Sequence, residues 1–105
     1  MLRLVERLFG EGRLHDARAE ASPTPVAFEL DVYRDWYVEG ADLLPGAWVI
    51  EGHVLAAPEV LAAWTGRGDP FSLHLDDGRQ LAVFILDGEG RVVNVEGTSF
   101  TTSAR

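Results

Sequence analysis

The chain has no cysteine and no lysine among its 105 residues. Without cysteine it forms no disulfide and has no thiol nucleophile, and the commonest ligand of structural zinc sites is missing. No apolar run approaches the roughly 20 residues that a membrane-spanning helix needs. The N-terminal stretch Met1–Arg7 carries charges inside its apolar run, unlike a secretory signal. We therefore expect a cytoplasmic protein with no membrane partner.

Positive charge is scarce relative to negative charge. Seventeen Asp and Glu residues stand against nine Arg, for a net charge of −8. Residues 1–20 are balanced, so residues 21–105 carry the whole excess. Such a surface repels phosphate backbones, which predicts no nucleic-acid partner. The use of arginine without lysine, together with abundant alanine and glycine, is typical of a GC-rich bacterial genome.

Three short apolar runs near the C-terminus predict an antiparallel meander. Phe71–Asp76, Leu81–Leu86 and Arg91–Glu96 show the alternation of strands. They are separated by Asp77-Gly78 and Asp87-Gly88, dipeptides that suit tight hairpin turns. Leu81–Leu86 is apolar on both faces, which predicts a central strand.

Two further strands and a short helix precede this meander. Val26–Tyr33 alternates between apolar and polar residues, and Ala47–Ala56 reads as a second strand with Gly52 in its middle. A glycine there indicates a bulge, a bend or a close backbone approach. Pro58–Trp64 is predicted to be a helix because Pro58 suits its first position and Glu59 complements its dipole.

The first nine residues show helical spacing. Met1, Leu4, Val5 and Leu8 follow the i, i+3, i+4, i+7 pattern, which predicts an amphipathic helix that ends near residues 10–12. A helix this short needs a surface on which to pack. Its apolar side, formed by Leu4, Val5, Leu8 and Phe9, would cover the protein's own sheet or serve as an oligomer or docking helix.

These elements together predict a mainly β fold. We expect a small five-stranded antiparallel barrel or curled sheet, with an N-terminal helix and one short helix between strands 2 and 3. Residues 1–24 would form the helix and a linker, 25–97 the β domain, and 98–105 a flexible tail.

The aromatic residues give the clearest candidate site. Trp36 and Tyr37 are adjacent, so an extended strand points them to opposite faces and leaves at least one near the surface. Glu39, Asp42 and His53 complete the candidate set. Exposed aromatics ringed by carboxylates are typical of a protein interface or a ligand groove.

The main hypothesis is a non-catalytic interaction or assembly module that binds a protein partner or itself. The alternative is a small-molecule-binding or enzymatic barrel that uses Trp36–Glu39 with His53.

The chain shows no recognisable catalytic or metal motif. It has no nucleophile elbow, phosphate-binding glycine loop or H-E-x-x-H spacing. A cluster of His53, His74 and Glu51 would need their strands to pair, and the acidic turns lack the repeat of a calcium loop. We therefore predict no catalytic residues, no metal and no cofactor.

Overall fold

The structure, a computed structural model, describes residues 1–16 and 22–102. These residues form seven strands and one short helix. The strands are β1 (Leu2–His15), β2 (Thr24–Glu39), β3 (Asp42–Leu55), β4 (Phe71–Leu75), β5 (Arg79–Ile85), β6 (Arg91–Asn94) and β7 (Thr101–Thr102), and the helix is α1 (Pro58–Trp64). No helix among the described residues has the length and apolar character needed to cross a membrane.

Six of the strands close into an antiparallel barrel. Their order around the barrel is β1, β2, β3, β6, β5 and β4, and the pairing of β4 with β1 completes the circle. Closure matters because it leaves no unpaired sheet edge in the wall of the barrel. The seventh strand, β7, pairs with the start of β5.

The core lies inside this barrel. Alternate residues of the strands point inward and fill it, and α1 contributes Leu61. The buried apolar side chains are Leu14, Val26, Phe28, Leu30, Val32, Ile50, Val54, Leu61, Phe71, Leu73, Leu75, Leu81, Val83, Ile85 and Val92.

The predicted N-terminal helix is wrong, because Met1–Phe9 belongs to a strand. β1 pairs with β2 along almost its whole length and with β4 through its last four residues, Gly12–His15. Gly12, one of the two glycines expected to end a helix, is required inside the strand. A Cβ at Gly12 would lie 2.3 Å from the carbonyl oxygen of His74, so only glycine allows β1 and β4 to approach this closely. Partners in the sheet override the local helical spacing, which is a weak preference in so short a segment.

The prediction of a mainly β barrel with one short helix is confirmed, but the number of strands is not. The meander forms as β4, β5 and β6 with antiparallel pairings, and the helix spans Pro58–Trp64 as predicted. The five predicted strands become seven because β1 replaces the N-terminal helix and β7 forms in the predicted tail. Of the predicted linker and tail, residues 17–21 and 103–105 lie outside the described residues.

Part of the sheet continues beyond the barrel as a three-stranded extension. We call residues 1–5 and 33–49 the ribbon. It combines the start of β1 with the hairpin of β2 and β3, and none of its side chains is in the buried core. The radius of gyration, 14.7 Å, exceeds the roughly 13 Å of a compact chain of this length. The projecting ribbon accounts for the elongated extents of 50 × 33 × 23 Å.

Candidate interaction surface

The ribbon carries most of the exposed apolar surface. Ten large hydrophobic side chains are exposed in the described part of the chain, and all but Phe9, Leu55 and Leu86 lie on the ribbon. The ribbon members are Met1, Leu2, Leu4, Val5, Tyr37, Val38 and Leu43. Single exposed apolar residues are ordinary, whereas a concentration of them outside the core makes the ribbon a candidate interaction surface.

The two outer strands of the ribbon lack neighbours within the described ranges. β1 pairs with β4 only through residues 12–15, and β3 pairs with β6 only through residues 51–53. An unpaired edge can accept a strand from another chain. Pro45 interrupts the β3 edge because it lacks an amide hydrogen, whereas the β1 edge has no proline. The β1 side is therefore the more accessible edge.

The start of the ribbon is held by bonds to the amino group of Met1. This ammonium donates to the Asp35 carboxylate at 2.8 Å and to the Trp36 carbonyl at 2.7 Å. The hydrogen bond from this ammonium lowers the pKa of Asp35 below its usual value. These contacts fasten the first residue of β1 to β2 on the exposed ribbon.

Four of the five predicted binding residues meet on the hairpin of the ribbon. Trp36 pairs with Pro45 and Tyr37 with Leu44, while Glu39 and Asp42 face each other across the tip. Tyr37 is exposed, and Trp36 is half-buried.

His53, the fifth predicted residue, lies elsewhere. It occupies the barrel wall between Glu29 and Arg91, eight residues along β3 from the partner of Trp36. At ~3.3 Å per residue this separation is about 26 Å. His53 instead lines a groove of about 430 Å³ on the outside of the barrel, together with the exposed ring of Phe9. The hairpin and His53 therefore do not form one site.

The four residues predicted for the docking helix have different surroundings. Leu4 and Val5 are exposed on the ribbon, at the point where a bulge shifts the register between β1 and β2. Leu8 is partly buried against the core. Phe9 is 70% exposed and belongs to the outer groove. Leu4 and Val5 thus remain available to a partner, but on a strand.

A histidine pair that sequence reasoning missed lies at the seam between β1 and β4. The rings of His15 and His74 stack with their centroids 3.7 Å apart, beside a cleft of about 830 Å³. Burial, followed by the charge of His15, lowers the pKa of His74. The sequence signal was the alternation that places His15 outside and Leu14 inside a strand, but the segment had been interpreted as a linker.

A second missed cluster lies on the ribbon. The guanidinium of Arg34 lies over the indole of Trp48, 4.4 Å from the ring centroid. The two residues face each other across β2 and β3, and Arg3 of β1 occupies the next place in the same row. Periodicity alone could not show this cluster, because it depends on the register between three strands.

The described residues contain no group of three or more His, Asp or Glu side chains arranged to hold a metal ion. His53 and His74 lie on strands that do not pair, so the metal cluster considered from the sequence is not assembled.

Comparison with known proteins gave no further guide to function: no protein-family model, curated protein or solved structure matches this chain.

Proposed function

We propose that this protein is a non-catalytic interaction or assembly module that binds another protein, or a second copy of itself, through the ribbon. The observation that supports this function is the concentration of exposed apolar side chains on a part of the sheet that has no fully buried apolar side chain. Burying such side chains against a partner contributes roughly 25 cal/mol per Å² of apolar surface. The barrel then acts as the scaffold that presents the ribbon.

Two features of the ribbon favour a protein as the occupant. The β1 edge before Gly12, which has no strand neighbour among the described residues, offers backbone donors and acceptors to an added strand, and such pairing depends little on sequence. Tyr37 is exposed and lies opposite Leu44, and tyrosine is one of the residues enriched at protein interfaces. The alternative of a ligand site formed by Trp36–Glu39 with His53 loses support, because those parts are far apart on β3.

The net charge of −8 supports a partner other than nucleic acid. Cytoplasmic location and bacterial origin remain part of this proposal. They are supported by the absence of cysteine and by the exclusive use of arginine as the long basic residue.

Site-specific photo-crosslinking tests the proposal. A photoreactive phenylalanine analogue is placed at Val38, on the ribbon, and in a matched protein at Leu86, which is also exposed but lies beyond β5. Each purified protein is irradiated at a series of increasing concentrations. Each is also irradiated in an extract of the cells that make it. We expect crosslinked products at Val38, either dimers or a complex with another protein, and few at Leu86.

Equal labelling at Val38 and Leu86 would show that the ribbon has no preferred role and would overturn the proposal. A ribbon variant with Val38→Ser and Leu43→Ser provides a second check. In this variant the photoreactive residue is placed at Glu39, next to the two substitutions. The crosslinks from Glu39 should be lost, while the melting temperature of the protein stays unchanged. Retention of those crosslinks would contradict an apolar docking surface.

A further inference from the structure

Two arginines face each other on the ribbon. Arg3 of β1 lies directly opposite Arg34 of β2, and Arg34 lies opposite Trp48 of β3. Directly opposed residues of an antiparallel pair project from the same face, with Cβ atoms about 5 Å apart. Like charges in that position repel each other and destabilise the pair. The arrangement therefore needs an explanation.

No carboxylate of the described part of the chain neutralises these two side chains: neither forms an ion pair there. The carboxylates closest in sequence are used elsewhere. Asp35 accepts from the N-terminal ammonium at 2.8 Å, and Glu6 accepts from a guanidinium of β5 at 3.1 Å. In a chain with seventeen acidic residues and nine arginines, two adjacent arginines without an acid are unexpected.

Arg34 is also held in a defined orientation. Its guanidinium lies over the ring of Trp48, while its Nε is buried with no hydrogen-bond partner in the described structure. Leaving a buried donor unpaired is unfavourable. The residue as a whole is only partly buried.

We propose that Arg3 and Arg34 form a binding site for a single oxyanion group, a carboxylate or a phosphate. An anion between them would replace the repulsion with two charge-assisted contacts, and a guanidinium can bind either group with two parallel hydrogen bonds. Trp48, whose ring lies against the Arg34 guanidinium, adds apolar surface beside the anion.

The site accepts one anionic group and not a polyanion, since the rest of the surface is acidic. The anion has two sources: an acidic side chain of a protein that docks on the ribbon, or a small phosphorylated molecule. The site stands independently of the proposed docking function, because it depends on the two arginines and not on the exposed apolar residues.

A nuclear magnetic resonance titration of the full chain tests this inference. Inorganic phosphate and, separately, N-acetylaspartate are added at constant ionic strength and pH, and the Nε–H signal of Arg34 and the indole N–H signal of Trp48 are followed. We expect saturable shifts at both signals with at least one probe. Saturation by phosphate alone identifies a small phosphorylated ligand, and saturation by N-acetylaspartate alone identifies an acidic side chain.

Substitutions of Arg3 and Arg34 test whether these two side chains bind the anion. Arg34→Gln and Arg3→Gln should each weaken binding about 10-fold or more, since each removes one charged donor. Arg34→Lys should weaken binding as well, because lysine keeps the charge but not the planar fork. Arg13→Gln, on the same strand as Arg3 but at the barrel end, is the matched control and should bind as the unsubstituted protein does.

Absence of saturable shifts with either probe would overturn the site, as would an equal effect of Arg13→Gln. Dispersed amide signals verify that each variant is folded, and the exposed position of Arg3 keeps the test valid should Arg34→Gln fail to fold. These outcomes are independent of the crosslinking at Val38, so one proposal can fail while the other stands.

Discussion

At the scale of single residues, Gly52 permits a close approach of the backbones of β2 and β3. A Cβ at this position would lie 1.9 Å from the carbonyl oxygen of Glu29. Among the alternatives considered for a glycine in mid-strand, the structure shows a close backbone approach. The clash is with backbone, so no side-chain rotation can relieve it.

Gly52→Ala should therefore lower the free energy of unfolding by more than about 2 kcal/mol, a value typical of overpacked positions. Chemical denaturation with urea, followed by tryptophan fluorescence, measures this change. Gly68→Ala is the matched control, because a Cβ at Gly68 would meet no atom within 4 Å. Similar stability of the two variants would show that the strands separate at little cost.

The stacked pair of His15 and His74 should make stability depend on pH. Burial and the charge of His15 lower the pKa of His74 below the 6.5 of the unfolded chain. A lowered pKa in the folded state means that the unfolded state binds the proton more strongly. The contribution of His74 is thus complete above pH 6.5 and is lost as the pH falls below that value.

We expect the melting temperature to fall between pH 7 and pH 5, and His74→Gln should reduce this dependence. His15→Gln should reduce it as well, because it removes the repulsion while leaving burial in place. Three charged side chains line the same cleft: Arg13, which lies opposite His74, and the carboxylates of Glu11 and Asp76. His53→Gln, on a strand that does not touch the pair, is the control. An unchanged pH profile in His74→Gln would contradict the prediction.

At the scale of elements, β1 divides into a part that builds the barrel and a part that builds the ribbon. Leu14 is 1% exposed and lies in the core, whereas Leu4 is 45% exposed. The same strand therefore contains one leucine that the fold needs and one that is free to contact a partner. Their different surroundings follow from where β4 pairs with β1.

The same substitution should have different effects at the two positions. Leu14→Ala removes a fully buried side chain and should cost about 2–5 kcal/mol of unfolding free energy. Leu4→Ala should change it by no more than about 0.5 kcal/mol, as is usual at the surface. Thermal and urea unfolding of both variants measure the contrast. Equal losses would show that the ribbon is part of the cooperative core.

At the scale of the whole molecule, the barrel should be stable without the end of its hairpin. Residues 35–47 contribute no buried apolar side chain. We expect a chain in which Asn-Gly replaces them to fold cooperatively, because a tight turn would join Arg34 to Trp48. Its free energy of unfolding should fall by at most about 1 kcal/mol. X-ray scattering should show the radius of gyration falling from 14.7 Å toward about 13 Å. A loss of cooperative unfolding would contradict this division.

The sequence by itself determined the local elements whose signals do not depend on distant partners. The alternation in Phe71–Leu75 and the Asp-Gly turns specified the meander, because both are properties of neighbouring residues. Pro58 and Glu59 specified the helix in the same way. The expectation that at least one of Trp36 and Tyr37 lies near the surface agrees with the exposure of Tyr37.

Only the tertiary structure decided that the first segment is a strand and which residues lie together in each candidate site. Met1–Phe9 has helical spacing, yet it pairs with β2, and the backbone hydrogen bonds of a closed barrel outweigh a weak local preference. The pairing of His15 with His74 and of Arg3 with Arg34 depends on register between strands, which no spacing along the chain encodes. His53 was separated from Trp36 for the same reason: a long strand places residues of similar chemistry at opposite ends of the molecule.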